Sequence, residues 1–126
     1  MVLLNNIHLS SKLIMKTDID AYKKIAQSLI ASLDSDWDTV VLDTKILDNN
    51  CSALSVIQYT NNKQKYLTLP FEAVFDANAA ALFLRDEIFE AKGDRIWGLT
   101  FILHPDGKFK IEYDYNKPDN VENLTL

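Results

Sequence analysis

The stretch from Ile96 to Tyr115 alternates with a period of two on both sides of a Pro105-Asp106-Gly107 turn, and this pattern restricts the fold more than any other part of the chain. Trp97, Leu99, Phe101 and Leu103 fall on one face of the first arm, and Phe109, Ile111, Tyr113 and Tyr115 fall on one face of the second. Lys108, Lys110, Glu112 and Asp114 point the other way. Two such arms joined by a proline-glycine turn predict a β-hairpin. One apolar and one charged face fit an antiparallel sheet that packs on a core on one side and meets water on the other.

The rest of the chain supplies partners for that hairpin. Tyr22, Ile25, Ala26, Leu29 and Leu33 recur at helical spacing, so a helix is expected from Asp18 to Leu33, capped by Thr17 or Asp18, with Asp20 favouring its positive end. Trp37 to Leu47 reads as a strand with Val40, Leu42 and Ile46 opposed to Thr39, Val41, Asp43 and Lys45. Asp48-Asn49-Asn50 then turns into a second strand from Ser52 to Thr60, and Asn61-Asn62-Lys63 into a short third from Lys65 to Leu69, ended by Pro70. A second helix is expected from Ala77 to Lys92, with Asp76 as N-cap and Gly93 closing it. Its stripe of Ala80, Ala81, Leu84 and Ile88 is widened by Leu82, Phe83 and Phe89, which predicts cover on more than one side. The order α-β-β-β-α-β-β gives an α+β fold, an antiparallel sheet of about five strands packed against two helices. Residues 1–16 form an N-terminal extension and residues 117–126 a loose tail.

At 126 residues, 48% hydrophobic and 25% charged, the chain fits a single domain with an ordinary globular core. Cys51 is its sole cysteine, which excludes an intramolecular disulfide and any cysteine-rich zinc site. The apolar clusters near Met1 are interrupted by Asn5, Asn6, His8, Ser10 and Ser11, so they do not read as a signal peptide, and no apolar run is long enough to span a bilayer. A reducing cytoplasm is the compartment that fits. The net charge of −5 and a pI near 4.9 disfavour a phosphate-binding surface. Lys23-Lys24, Lys63-Gln64-Lys65 and Lys108-Phe109-Lys110 are short and scattered, so a basic protein is the favoured partner and neither nucleic acid nor a membrane is expected.

No constellation for catalysis stands out. His8 and His104 belong to no metal-ligand motif, and three glycines, Gly93, Gly98 and Gly107, make no phosphate loop. Cys51 beside a turn carries no local activation signal, and Asp86, Glu87 and Glu90 read as a solvated helix face. Trp37, Trp97, Tyr113 and Tyr115 sit at inward-alternating positions and read as core aromatics rather than a base-stacking platform. The expectation is a chain without catalytic residues, metal or cofactor. Its candidate contacts are acidic. Asp34, Asp36 and Asp38 place three carboxylates within five residues at a helix-to-strand junction, and Glu112 and Asp114 lie on the outward face of the last strand.

Several of these segments also carry a family likeness. Ile25 to Ile30 followed by Asp36-Trp37-Asp38-Thr39-Val40-Val41-Leu42, then Trp97-Gly98-Leu99-Thr100-Phe101-Ile102-Leu103 and Asp106-Gly107-Lys108-Phe109-Lys110-Ile111-Glu112-Tyr113-Asp114-Tyr115, resemble the YezG-like immunity (antitoxin) proteins. In that family a helix precedes a W-x-x-V strand, and a late W-x-x-L-x-F/I strand turns through D-G-K-F into an aromatic-acidic strand. The likeness spans Asp18 to Asn116. It implies a small α+β protein that neutralises the toxic C-terminal domain, commonly a nuclease, of a polymorphic or contact-dependent growth inhibition toxin. The residues 1–16 depart from the family, and no toxin-contacting residues carry over from it. The sequence leaves a second reading open, a non-enzymatic adaptor or self-associating interaction domain.

Overall fold

A computed structural model describes residues 15–34, 36–47 and 51–118, with two helices and one five-stranded antiparallel sheet. The expected turn at 48–50, most of the N-terminal extension and the tail from 119 onward lie outside the described residues. The element order is α1 (Asp18–Ile30), β1 (Thr39–Ile46), β2 (Cys51–Thr60), β3 (Lys63–Leu67), α2 (Phe71–Lys92), β4 (Gly98–Leu103) and β5 (Phe109–Asp114), the α+β order expected.

Thr17 starts α1 with a reciprocal capping box. Its Oγ1 accepts from the Asp20 N–H at 3.3 Å, and the Asp20 carboxylate accepts from the Thr17 N–H at 3.1 Å. The N–H of Lys16 also donates to that carboxylate, at 2.9 Å, and is the first cause holding the Asp20 pKa below its ordinary value. The helix ends at Ile30, three residues short of Leu33, because the bonds from Ser32 to Leu29 and from Leu33 to Ile30 tighten into turns. Ala21, Ile25, Ala26 and Leu29 are fully buried.

The start of α2 differs from expectation by six residues. Pro70, rather than Asp76, occupies the N-cap, since a proline with φ −58° has the geometry to enter a helix and loses no hydrogen bond there. Asp76 falls in the second turn, 3.7 Å from the Nζ of buried Lys24 on α1. Gly93 closes the helix with φ +74°, its N–H donating to the Phe89 carbonyl at 2.7 Å. Ala73, Ala77, Ala80, Ala81, Leu84 and Ile88 form the buried stripe, and the small alanines let α1 approach closely. Leu82 and Phe83 are half-buried against the core, but Phe89 is 56% exposed, so the expected cover does not extend to it.

The strand order β3-β2-β1-β4-β5 makes α2 a crossover that carries the chain from one sheet edge back to a place beside β1. Asn61 and Asn62, with φ of 50° and 63°, supply a two-residue turn of the primed type, so β3 begins at Lys63 and ends at Leu67, two residues earlier at each end than predicted. The Pro105-Asp106-Gly107 loop closes the β4–β5 hairpin. The Gly107 N–H donates to the His104 carbonyl at 3.0 Å, the Asp106 carboxylate takes the Lys108 N–H at 2.9 Å, and Gly107 sits at φ +88°.

The inner face carries Val40, Leu42, Ile46, Val56, Leu99, Phe101, Leu103 and Phe109 into one core with both helices. Phe101 and Phe109 stack at 5.1 Å between ring centroids. Trp37 and Tyr113 are half-buried against this core as expected. Tyr115 is not. It lies past the end of β5 and is 47% exposed, because pairing with β4 stops at Asp114. Trp97 precedes β4, half-buried under the Arg95 guanidinium at 4.0 Å, and Arg95 in turn donates to the carbonyls of Ile46 and Leu47.

Candidate protein-binding face

The inward side chains of β1, β4 and β5 fix what the other side of the sheet displays. Register aligns Asp43 with Thr100 and Thr100 with Glu112, so these three lie in one row across the outer face. The Thr100 hydroxyl donates to the Asp43 carboxylate at 3.1 Å. The next row aligns Lys45, Gly98 and Asp114. Gly98 lacks a side chain for a steric reason, since a Cβ there would stand 2.8 Å from the Thr44 carbonyl oxygen of the neighbouring strand. The result is a groove of about 410 Å³, with Gly98 on its floor and Asp43, Lys45, Thr100, Glu112 and Asp114 around it.

On the other side of the Asp43 row lies an apolar one. Tyr66, Ile57, Val41 and Ile102 are successive register partners across four strands, with Lys110 beyond them on β5. Ile57, Val41 and Ile102 are half-buried and Tyr66 is 71% exposed. An apolar strip bordered by charged groups is the composition of a protein-contact surface, with a desolvating centre and a polar rim.

The two acidic groups singled out in the sequence are not neighbours. Asp34, Asp36 and Asp38 sit beside the β2–β3 hairpin, whereas Glu112 and Asp114 lie on β5 at the opposite edge. Four strand spacings separate the edges, roughly 19 Å. Asp34 and Asp38 are also engaged within the fold. Asp34 pairs with Lys65 at 2.6 Å and donates its N–H to Gln58 Oε1 at 3.2 Å, while the Asp38 carboxylate takes the Asn61 N–H at 2.8 Å. These bonds tie the α1–β1 connection to the β2–β3 hairpin, and Asp36 supplies the bend with φ +63°. Glu112 pairs with Lys110 on its own strand at 3.4 Å, and Asp114 accepts from the Asn116 N–H at 2.9 Å.

Asp43 and Gly98 complete the face, and sequence reasoning missed both. Alternation places Asp43 outward, but only the pairing of β1 with the distant β4 brings it beside Glu112. Among the described residues, no three His, Cys, Asp or Glu side chains are grouped as a metal site would require. Cys51 is half-buried with its thiol pKa pushed up, first by burial, the reverse of the shift that activates a nucleophile. His104 follows β4 at the turn, its backbone N–H donating to the Lys108 carbonyl at 2.9 Å. None of the described helices is long and apolar enough to cross a membrane.

No protein-family model matches the chain, and no curated protein matches it either. The resemblance to the YezG-like proteins is one of sequence motifs, carried by the segment Ile25 to Ile30, the strand that follows it and the hairpin.

Proposed function

We propose that this chain is a cytoplasmic immunity protein, without enzymatic activity, that neutralises the basic C-terminal domain of a cognate polymorphic or contact-dependent growth inhibition toxin by stoichiometric occlusion. One observation carries the reading beyond the sequence likeness: the outer sheet face joins an apolar strip of Ile57, Val41 and Ile102 to the carboxylates of Asp43, Glu112 and Asp114. Carboxylates at the rim steer a basic nuclease surface and speed its association. The apolar strip excludes water once contact is made and sets the lifetime of the complex. Asp34, Asp36 and Asp38 are a second contact region toward the β3 edge, with Asp36 exposed at the bend.

The test is coexpression with the toxin domain encoded beside this gene, followed by calorimetry of the purified pair at low and high salt. Rescue of growth and one-to-one binding that weakens with salt are expected. Reversing Asp43, Glu112 and Asp114 together should slow association and flatten its salt dependence. Failure to protect against the adjacent toxin, or binding kinetics unmoved by the triple reversal, removes the proposal or its assignment of the face respectively.

A further inference from the structure

We propose that the chain forms a homodimer through the outer edge of β5, two copies pairing antiparallel about a two-fold axis at Ile111 so that their sheets become continuous. This does not rest on the immunity reading: the contact is made by the β5 edge, and the apolar strip and Asp43 stay open, while Glu112 and Asp114 lie beside the seam.

Hydrogen-bond alternation identifies what the edge offers. Ile46 donates to the Trp97 carbonyl at 2.9 Å on the β1 side of β4, and His104 donates to the Lys108 carbonyl at 2.9 Å on the β5 side. Following the register, Leu99, Phe101 and Leu103 turn their backbone groups to β1, while Thr100 and Ile102 turn theirs to β5. On β5, Lys110 and Glu112 therefore bond to β4, and Phe109, Ile111 and Tyr113 direct their N–H and C=O groups away from it. Among the described residues no strand takes them up.

Charge then selects both the partner and the register. With Ile111 opposite Ile111 of the partner subunit, the two residues exchange both backbone bonds, and Lys110 faces Glu112 of the partner subunit on each side of the axis. Phe109 faces Tyr113 of the partner subunit on the inner side. An axis at Phe109 would instead set Lys108 against Lys110, and one at Tyr113 would set Glu112 against Asp114. An axis at Lys110 or Glu112 would oppose like charges directly. Of these registers only Ile111 matches opposite charges, and like charges facing each other across strands are unfavourable. A second copy of the same chain is thus the occupant that this sequence fits.

The edge also lacks the usual guards. The six β4–β5 pairs run without a bulge, and β5 contains no proline. A single short strand pair is a small interface, at the weak end of specific association.

Sedimentation velocity of the full chain over about 1 µM to about 1 mM tests this. The mass should rise from 14.4 kDa toward twice that value with concentration. K110E and E112K, both at exposed positions, should each weaken the dimer about tenfold. An equimolar mixture of the two should associate again, since each reversed charge then meets an opposite one, and the K110E/E112K double variant should do so alone. Ile111→Pro removes the outward N–H that β4 does not use, together with a half-buried side chain packed on the core, and should give a monomer whose circular dichroism remains that of the folded chain. A monomer at every concentration overturns the proposal, including the case where a different protein supplies the strand; a dimer unmoved by the single reversals, or not restored in the mixture, overturns the β5 register.

Discussion

The two edges of this sheet are built in opposite ways. Along β3, Lys63, Gln64, Lys65 and Tyr66 are all exposed and only Leu67 is half-buried. Along β5, Phe109 is buried, Ile111 and Tyr113 are half-buried, and Lys110 and Glu112 alternate outward. Lys63 and Lys65 occupy the positions that would face the core layer, which is how an edge strand discourages further pairing. At β5 the same positions carry aromatic and aliphatic side chains, held from above by α1: Tyr22 lies 5.1 Å from the Phe109 ring, and its hydroxyl is 3.2 Å from that of Tyr113. One edge is finished in charge and the other in core.

Truncation should expose that difference most strongly. Phe109→Ala removes a ring that is 6% exposed and contacts both Phe101 and Tyr22, and should cost about 3–5 kcal/mol in urea denaturation. Tyr66→Ala, at 71% exposure on β3, should stay within about 0.5 kcal/mol. Equal losses would break the comparison. Next in size is Gly98→Ala. β5 is held to the sheet only through β4, and a Cβ at 98 meets the Thr44 carbonyl oxygen at 2.8 Å, so β4 and β1 must part. About 1–3 kcal/mol should be lost, by the same measurement.

A smaller and directional effect concerns alkaline pH. Burial first, then the Tyr22 hydroxyl, push the Tyr113 phenol well above its ordinary value of 10.0. A phenol with a raised folded-state pKa contributes stability that is complete below the unfolded value and is lost as pH climbs from there through the folded one. Denaturation midpoints should therefore fall above about pH 10, and less steeply in Tyr113→Phe. Absorbance titration at alkaline pH, compared with that of Tyr113→Phe, should show the Tyr113 phenol ionising together with unfolding.

Much of this architecture was legible because local pattern and tertiary environment agree. The hairpin from Gly98 to Asp114 follows its alternation, and the Thr17 cap and the Gly93 stop are chemical signals that act over a few residues. Errors arose where two local signals competed. Asp76 resembles a cap, but the preceding Pro70 had already begun the helix, leaving Asp76 free to pair with Lys24. Tyr115 continues the alternation of β5 in sequence, although β4 offers it no partner. The candidate face was only half legible. Glu112 and Asp114 announce themselves by alternation, whereas Asp43 and Gly98 join them through a β1–β4 pairing that spans more than fifty residues and leaves no local trace.

The smallest effect tests how the β3 edge is secured. Lys65 and Asp34 make a short ion pair, at 2.6 Å, yet their side chains remain 62% and 53% exposed. Short geometry argues for a strong tie between the α1–β1 connection and β3, whereas solvent screening argues for a weak one, and exposed pairs generally contribute about 0.2–1 kcal/mol. A double-mutant cycle of Asp34→Ala and Lys65→Ala should give a coupling in that range, shrinking as salt is raised. The Asp34 N–H bond to Gln58 does not depend on the carboxylate, so truncation should leave the loop in place. A coupling well above that range would mean that charge organises the β3 edge as firmly as the aromatic cluster organises β5; one near zero would leave Lys65 as a guard against pairing and nothing more.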